Sequence, residues 1–315
     1  MRILAAALVG ALMLTGCMSA LPQGAVLAAH TGAAVEDKYA TSPDGVRIHY
    51  VASGKGPLVV AIHGYPDFSA TWDQLRPWLD NSYRFVALDT RGYNLSDKPE
   101  GVANYEMPKL IADVDAVIKA EGYEKASVIG HDWGGSIAWM FAFYYPQRLE
   151  NLIVLSTPHP SLFMREMRTN PAQQANSQYA RNNQKEGSEA GLTAEGLARR
   201  VTDPALHEKY VEAFKRSSFA GMMNYYRANY PKTVGPEAVR PFMPDPVPKI
   251  EAPLLVIHGM KDTALMAQGH SGTWDVGSKD STLMMIPDAG HFVQQDAADK
   301  VNPMIRNWLD MHRAR

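Results

Sequence analysis

The fold of this chain is decided by one stretch, Val128-Ile129-Gly130-His131-Asp132-Trp133-Gly134-Gly135. The stretch predicts a β-strand that enters a sharp turn and continues into a helix. Small residues on both sides of Asp132 are typical of a nucleophile elbow, because they let strand and helix approach closely. A carboxylate in that position favours attack on an sp³ carbon and an ester intermediate. The alternative is a glycine-rich turn in which Asp132 only caps the helix.

The composition is that of a soluble globular protein. The chain has 315 residues, of which 46% are hydrophobic and 20% charged. This length suits one α/β domain with a sizeable insertion. The formal net charge of −2 argues against a polyanionic partner, so we expect no nucleic-acid binding.

The N-terminus predicts export. An apolar run over residues 3–14 has the length of the hydrophobic region of a signal peptide. It is followed by Leu14-Thr15-Gly16-Cys17, which resembles the lipobox of bacterial lipoproteins, and Cys17 is the only cysteine. We expect a signal peptide over 1–17, lipidation of Cys17, a flexible tether over 18–36, and a protein anchored at a bacterial membrane facing the periplasm or exterior. The alternative is a secretory signal cut near Ala28-Ala29, which gives a soluble periplasmic or secreted protein.

Strand and helix patterns alternate along most of the chain, which predicts an α/β fold with a mostly parallel central sheet flanked by helices. The predicted strands are Val46–Val51, Leu58–Ile62, Arg84–Leu88, Ala126–Ile129, Leu152–Leu155, Leu254–Ile257 and Thr282–Ile286. The predicted helices of this core are Trp72–Leu79, Lys109–Glu121, Ser136–Tyr144 and Lys300–Met311.

The alternation stops between the predicted core segments 37–157 and 253–315. Residues 158–252 predict a helical cap inserted between two core strands. Its predicted helices are Ala190–Val201, Pro204–Phe214 and Gly221–Asn229, and a proline-rich return over 241–248 excludes regular helix or central strand.

The polar motifs follow the predicted strands directly, at the edge where parallel sheets bind ligands. They are His63-Gly64-Tyr65-Pro66, the segment 89–99 that includes Arg91-Gly92-Tyr93-Asn94, the Asp132 elbow, His258-Gly259-Met260-Lys261-Asp262-Thr263 and Asp288-Ala289-Gly290-His291-Phe292. Together they resemble the epoxide hydrolase branch of the α/β-hydrolase family, over roughly residue 40 to the C-terminus. Asn94 stands where relatives often have Gly, and Asn tolerates the unusual backbone angle expected there.

The resemblance implies that Asp132 is the nucleophile, His291 the base and Asp262 the carboxylate that orients it. Physical chemistry supports these roles separately. A carboxylate is ionised at neutral pH and attacks carbon without activation, whereas the ester needs water activated by a base that titrates near neutrality. Asp275 and Asp288 are the weaker candidates for the orienting acid.

Other groups are expected to support this chemistry. The backbone N–H groups of Tyr65 and Trp133 are predicted to form an oxyanion hole, and His63 is predicted to support the loop that carries Tyr65. His131, His159 and His258 lack the spacing of metal ligands, so we expect no metal, and the chemistry implies no cofactor.

Opening an epoxide requires stabilisation of an alkoxide leaving group. In the family that this chain resembles, two cap tyrosines donate hydrogen bonds to the ring oxygen. Asn224-Tyr225-Tyr226-Arg227 and Gln178-Tyr179-Ala180 match the tyrosine motifs, which implies Tyr226 and Tyr179. The alternatives are aromatic packing of both side chains and a role for Tyr225 in place of Tyr226.

These features predict an epoxide hydrolase that converts an apolar small-molecule epoxide into a vicinal diol. A haloalkane or fluoroacetate dehalogenase with the same Asp-His-Asp set is the first alternative, although Tyr65 stands where those enzymes often have Asn and Trp133 stands where the fluoroacetate class has Arg. The second alternative is a non-catalytic binding protein on the same fold. The substrate and the oligomeric state are not readable from the sequence.

Overall fold

The computed structural model describes residues 33–313, and these form an eight-stranded sheet flanked by helices. The strands are β1 (Glu36–Thr41), β2 (Arg47–Ser53), β3 (Leu58–Ile62), β4 (Arg84–Leu88), β5 (Ala126–His131), β6 (Leu149–Leu155), β7 (Leu254–Gly259) and β8 (Ser281–Ile286). Their order in the sheet is β1-β2-β4-β3-β5-β6-β7-β8. β2 runs antiparallel to β1 and β4, and all other neighbours are parallel.

The central strands are apolar along their length because both faces of the sheet are covered. Every residue of β3 is buried. Val60 and Ile62 belong to the core on one face of the sheet, and Val59 and Ala61 belong to the core on the other. This two-sided burial confirms the expected α/β fold with a mostly parallel sheet.

Helices cover both faces and fill the connection between β6 and β7. They are α1 (Arg76–Leu79), α2 (Met107–Ala120), α3 (Trp133–Tyr144), α4 (Pro160–Thr169), α5 (Pro171–Asn176), α6 (Gln178–Asn183), α7 (Ala194–Ala198), α8 (Pro204–Arg216), α9 (Phe219–Asn229), α10 (Thr273–Val276), α11 (Val293–Asp296) and α12 (Ala298–Met311). Short 3₁₀ helices span Ser69–Trp72, Val102–Tyr105, Pro146–Arg148, Ser188–Gly191 and Ala267–His270. We refer to residues 160–229, which contain α4 to α9, as the helical insertion.

All seven predicted strands are present, and the structure adds an eighth. β1 begins at Glu36, the last residue of the predicted tether. It is an edge strand whose side chains are exposed except at Ala40 and, in part, Lys38, so it shows no apolar run in the sequence.

The helical insertion departs from the sequence prediction at two places. Residues 190–201 do not form one helix, because Thr193 caps a new short helix by accepting the Gly196 N–H at 2.9 Å. Three helices over 160–183 were not predicted, although α4 and α5 begin with proline at the first position and α5 is capped by Asn170.

Asn94 attaches the helical insertion to the sheet. Its φ of +38° confirms the expected unusual backbone angle. Its side-chain amide donates to Asp89 Oδ2 at 2.7 Å, and its Oδ1 accepts from Arg216 Nε at 2.9 Å. The Asn94 N–H also donates to Ser217 Oγ at 2.8 Å. One residue thus joins the loop after β4 to the end of α8.

The predicted signal peptide, Cys17 and nearly all of the tether lie outside the described residues. Over residues 33–313 there is no helix with the length and apolar character needed to cross a bilayer.

Candidate active site

Asp132 stands at the point where β5 turns into α3. Its backbone is strained, with φ +51° and ψ −117°. Three glycines make the turn possible because neighbouring atoms occupy the space of their missing Cβ atoms. A Cβ on Gly130 would lie 2.2 Å from the Gly134 carbonyl oxygen, and one on Gly134 would lie 2.1 Å from that of Ile62. A Cβ on Gly64 would lie 2.3 Å from Asp132 Cβ. The turn holds the carboxylate at the carboxyl end of the sheet.

His291 lies between two carboxylates. Its Nε2 is 3.4 Å from Asp132 Oδ2, and its Nδ1 is 2.7 Å from Asp262 Oδ2. Asp262 Oδ1 in turn accepts the N–H groups of Ala264 at 2.8 Å and Leu265 at 3.0 Å. The structure therefore brings together the three residues predicted to act as nucleophile, base and orienting acid.

The loops that carry Asp262 and His291 are held together by backbone contacts. Met260 N–H donates to the Ile286 carbonyl and Lys261 N–H to the Ala289 carbonyl, each at 2.9 Å. By contrast, the two weaker candidates for the acid are exposed, and Asp288 only pairs with Lys261 at 3.5 Å. Asp275 lies in the short helix α10.

The two oxygens of Asp132 have different surroundings. Oδ1 accepts the backbone N–H of Tyr65 at 2.8 Å, whereas Oδ2 faces His291. Trp133, the other predicted oxyanion-hole residue, begins α3, and its N–H makes no hydrogen bond with the carboxylate in the described chain. Oδ1 is thus positioned by backbone, and Oδ2 is the oxygen left for reaction.

Charge is concentrated on this triad. Burial opposes ionisation of Asp132, but the hydrogen bond and charge of His291 and the Tyr65 N–H hold the pKa of the carboxyl below its usual value. Burial also opposes a proton on His291, but the two carboxylates raise the pKa of this imidazole to about 10. In the resting site His291 is therefore an imidazolium paired with ionised Asp132.

His63 lies beneath the loop that carries Tyr65. Its Nδ1 donates to the Gly64 carbonyl at 2.9 Å, and its Nε2 accepts the Thr90 N–H at 3.0 Å. Burial lowers its pKa, which keeps the imidazole neutral and suits it to join two loops.

Among residues 33–313, no group of three or more His, Cys, Asp or Glu side chains is arranged to hold a metal ion.

A cavity opens above Asp132 between the sheet and the helical insertion. Most of its wall is aromatic or apolar. The lining residues are Asp132, Trp133, Ser136, Thr157, Pro158, Phe163, Tyr179, Tyr226, Asn229, Tyr230, Pro231, Arg240 and Leu265.

Tyr179 on α6 and Tyr226 on α9 face this cavity. Their ring centroids are 6.2 Å apart, and the Tyr226 ring packs edge-on against Trp133 at 5.1 Å. Gln184 holds the two helices together by donating to the carbonyls of Tyr226 at 3.1 Å and Tyr230 at 2.9 Å. Burial raises the pKa values of Tyr179 and Tyr226 well above the usual value, so both hydroxyls remain donors.

Tyr225 points elsewhere. Its hydroxyl donates to the Arg91 carbonyl at 2.8 Å, and its ring packs against Tyr93 and Tyr105 at 5.7 and 5.5 Å. It does not line the cavity. Of the two adjacent tyrosines, the structure places Tyr226 beside Asp132.

Sequence reasoning did not find several residues of the cavity and its support, among them Thr157, Gln173 and Arg240. Thr157 Oγ1 donates to the Asp132 carbonyl at 3.1 Å, and Gln173 contacts the Asp262 loop by donating to Ala264 and accepting from Met266, both at 2.8 Å. Arg240 directly precedes the proline-rich return and lines the cavity. None of the three belongs to a recognisable motif, so no sequence signal points to them.

Comparison with known proteins places this geometry in a family. The model of the alpha/beta hydrolase fold matches residues 57–298. The chain belongs to that family. Epoxide hydrolase 1 of Caenorhabditis elegans is 35% identical over 289 residues, which cover 85% of this chain and 69% of the relative. The AB hydrolase superfamily protein YfhM of Bacillus subtilis is 34% identical over 84% of this chain and 95% of its own length.

A solved structure shows the same likeness. A mutant epoxide hydrolase from Bacillus megaterium, crystallised with its product, a naphthyloxypropane-1,2-diol, superposes with a TM-score of 0.78. It is 31% identical, and the match covers 87% of this chain and 100% of the other. Within the α/β hydrolases, this chain therefore groups with the epoxide hydrolases.

Proposed function

We propose that this protein converts an epoxide into a vicinal diol through a covalent ester on Asp132. The observation that carries the proposal is the Asp132–His291–Asp262 line at the base of a cavity that Tyr179 and Tyr226 line. The tyrosine hydroxyls make no hydrogen bond within residues 33–313, so they are free to bind a ring oxygen.

In the first step Asp132 Oδ2 attacks one carbon of the epoxide and the bond from that carbon to the ring oxygen breaks. Tyr179 and Tyr226 stabilise the alkoxide that forms, and a proton reaches it through these hydroxyls. The Tyr65 N–H holds Oδ1 during the attack. The product is an ester between Asp132 and the opened substrate.

Ester formation removes the charge of Asp132, so the pKa of His291 falls and the imidazolium releases its proton to solvent. In the second step the neutral imidazole removes a proton from water, and the resulting hydroxide attacks Asp132 Cγ. Negative charge develops on Oδ1, where the Tyr65 N–H already donates. Collapse breaks the bond between Cγ and Oδ2, and the diol oxygen takes the proton from His291. Asp262 keeps the imidazole in the tautomer that this step needs.

Replacing Tyr179 or Tyr226 with phenylalanine is expected to slow turnover. Tyr226→Phe and Tyr179→Phe each remove one hydrogen bond to the developing alkoxide, which we expect to lower kcat/KM on the order of 10- to 1,000-fold. The loss should fall on ester formation. Rapid-quench measurement of that step, with enzyme in excess, checks the prediction.

Tyr225→Phe is the matched control because it removes the same hydroxyl from the neighbouring residue. It loses the hydrogen bond to the Arg91 carbonyl, which we expect to cost about 1 kcal/mol of stability. Its kcat/KM should remain that of the wild type. Equal losses in the three variants would assign Tyr179 and Tyr226 to packing.

The two steps should depend differently on pH. The pKa of Asp132 is below its usual value, so ester formation should not slow as the pH falls from neutrality to about pH 5. Ester formation removes the Asp132 charge, and the pKa of His291 must then fall from its resting value of about 10. Hydrolysis should slow as pH falls and His291 stays protonated. Single-turnover rates of both steps, measured against pH, check this; parallel profiles would contradict it.

Product analysis separates this function from its alternatives. The full chain is given styrene oxide, a short bromoalkane and fluoroacetate in parallel, with Asp132→Ala as the blank. We expect diol from styrene oxide and no halide from the other two. Halide without diol would establish a dehalogenase, and no product from any of them would favour a non-catalytic binding role.

We propose further that residues 1–17 are a signal peptide and that the mature protein is attached to a bacterial membrane through a lipid on Cys17. The lipobox-like tetrapeptide before Cys17 supports this. Incorporation of a labelled fatty acid, lost in Cys17→Ser, is expected. Recovery of unlabelled protein from the soluble envelope fraction would contradict it.

A further inference from the structure

Arg240 is a buried guanidinium that lines the cavity and lacks a counter-ion. Only 8% of its surface is exposed, and no carboxylate of residues 33–313 lies within ion-pair distance. Nor does it hydrogen bond to any described side chain or carbonyl. Arg91, which is fully buried, is different: it pairs with Asp113 at 2.6 Å and with Asp44 at 2.8 Å. Among the described residues, carboxylates therefore neutralise the buried guanidinium of Arg91, whereas the guanidinium of Arg240 has no such partner.

No group of the described cavity wall supplies a free negative charge for Arg240. Burial raises the pKa of Tyr230 to about 12, so this neighbour is neutral. Asn229 uses its side chain on the backbone of Met107 and Tyr105. Asp132 is held by the Tyr65 N–H and by His291. Burial lowers the pKa of Arg240 to about 10, so the group is still charged at neutral pH. A desolvated, unpaired charge is costly, and it is retained at a site that a charged ligand completes.

The backbone around Arg240 is fixed from outside the cavity. Arg168 Nε donates to the Ala238 carbonyl at 3.0 Å, and Gly235 N–H donates to the Met167 carbonyl at 2.9 Å. These contacts join the loop to α4, so Arg240 is not needed to anchor it. Its side chain is therefore available to bind a ligand in the cavity.

We propose that Arg240 binds a carboxylate of the substrate, so that the cavity selects epoxides of organic acids over neutral epoxides. The planar guanidinium fork matches a carboxylate with two parallel hydrogen bonds. The apolar wall formed by Phe163, Leu265 and Trp133 accommodates the chain between the carboxylate and the epoxide. The proposal rests on the proposed function, because the epoxide must reach Asp132 while the carboxylate reaches Arg240.

The test compares a series of terminal epoxy acids, with increasing numbers of methylenes between ring and carboxylate, with their methyl esters. At the best chain length, wild-type kcat/KM should favour the acid on the order of 10- to 100-fold. Arg240→Met should bring the ratio of acid to ester close to one. Lys232→Met is the matched control, because it removes an exposed cation from the same loop without removing a contact that holds Arg240, and it should keep the wild-type ratio.

Two results would overturn the proposal. One is a wild-type enzyme that hydrolyses esters as well as acids at every chain length. The other is a loss in Arg240→Met that is equal for acid and ester, which would make Arg240 a packing residue. If Arg240→Met does not fold, Arg240→Lys takes its place and should retain only part of the preference for acids. If neither variant folds, the ratio of acid to ester kcat/KM in the wild type decides the question.

Failure of the proposed function is distinguishable from failure of this inference. Absence of diol from styrene oxide and from every epoxy acid and ester would remove the function. The cavity is then tested by binding, with a dihydroxy acid and its methyl ester as probes. The acid should raise Tm more than the ester in the wild type and not in Arg240→Met; equal shifts would contradict the proposal.

Discussion

Replacing Asp132 with alanine should lower kcat by at least about 10⁴-fold, because no other described carboxylate faces the cavity to form the ester. The elbow itself is built by glycine contacts with backbone, which this change leaves in place. The loss should therefore be in chemistry. Diol formation and thermal unfolding, measured on the same preparation, check both parts of the prediction.

Asp288→Ala is the control for that experiment. Asp288 is an exposed carboxylate in the same loop as His291, and it contacts only Lys261 at 3.5 Å. We expect its activity to match the wild type. A wild-type rate in Asp132→Ala, or a comparable loss in Asp288→Ala, would contradict the assignment of the nucleophile.

The second large effect is expected for His291→Gln. The ester should still form, because Asp132 needs no base to attack, but its hydrolysis loses general base catalysis. We expect steady-state turnover to fall about 10²- to 10⁴-fold and the enzyme to accumulate as the ester. Intact mass after mixing with epoxide should show one added substrate per chain, located by peptide mapping on Asp132.

His207→Gln provides the matched histidine control. His207 lies on the helical insertion, where its Nδ1 interacts only with the Val201 carbonyl at 3.0 Å, and it does not line the cavity. Its variant should turn over normally and carry no adduct. An unmodified His291→Gln that has lost all activity would contradict a role confined to the second step.

The sheet was predictable because its central strands are buried on both faces, which leaves continuous apolar runs such as Leu58–Ile62. Edge strand β1 escaped prediction since most of its side chains face solvent. In the helical insertion, short helices begin at caps such as Thr193, and local capping outweighed the apolar periodicity on which the prediction relied.

The catalytic line was predictable because each member directly follows a strand, and parallel strands deliver such residues to one edge. The motif match implied Tyr226 but left Tyr225 open, since adjacent helical residues point in directions about 100° apart and only packing decides which faces the cavity. Arg240 lies in a loop without periodicity or motif, so its place in the cavity wall follows from tertiary contacts alone.

The central claim is that the diol receives its new oxygen from Asp132 and not directly from water. A single turnover of the wild-type protein, in excess over epoxide and in ¹⁸O-water, tests it most directly. The account predicts an unlabelled diol and one ¹⁸O atom in the Asp132 carboxylate, because hydroxide attacks Cγ and the bond to Oδ2 breaks. A labelled diol and an unlabelled Asp132 would show that water attacks the epoxide itself, and would contradict the covalent mechanism.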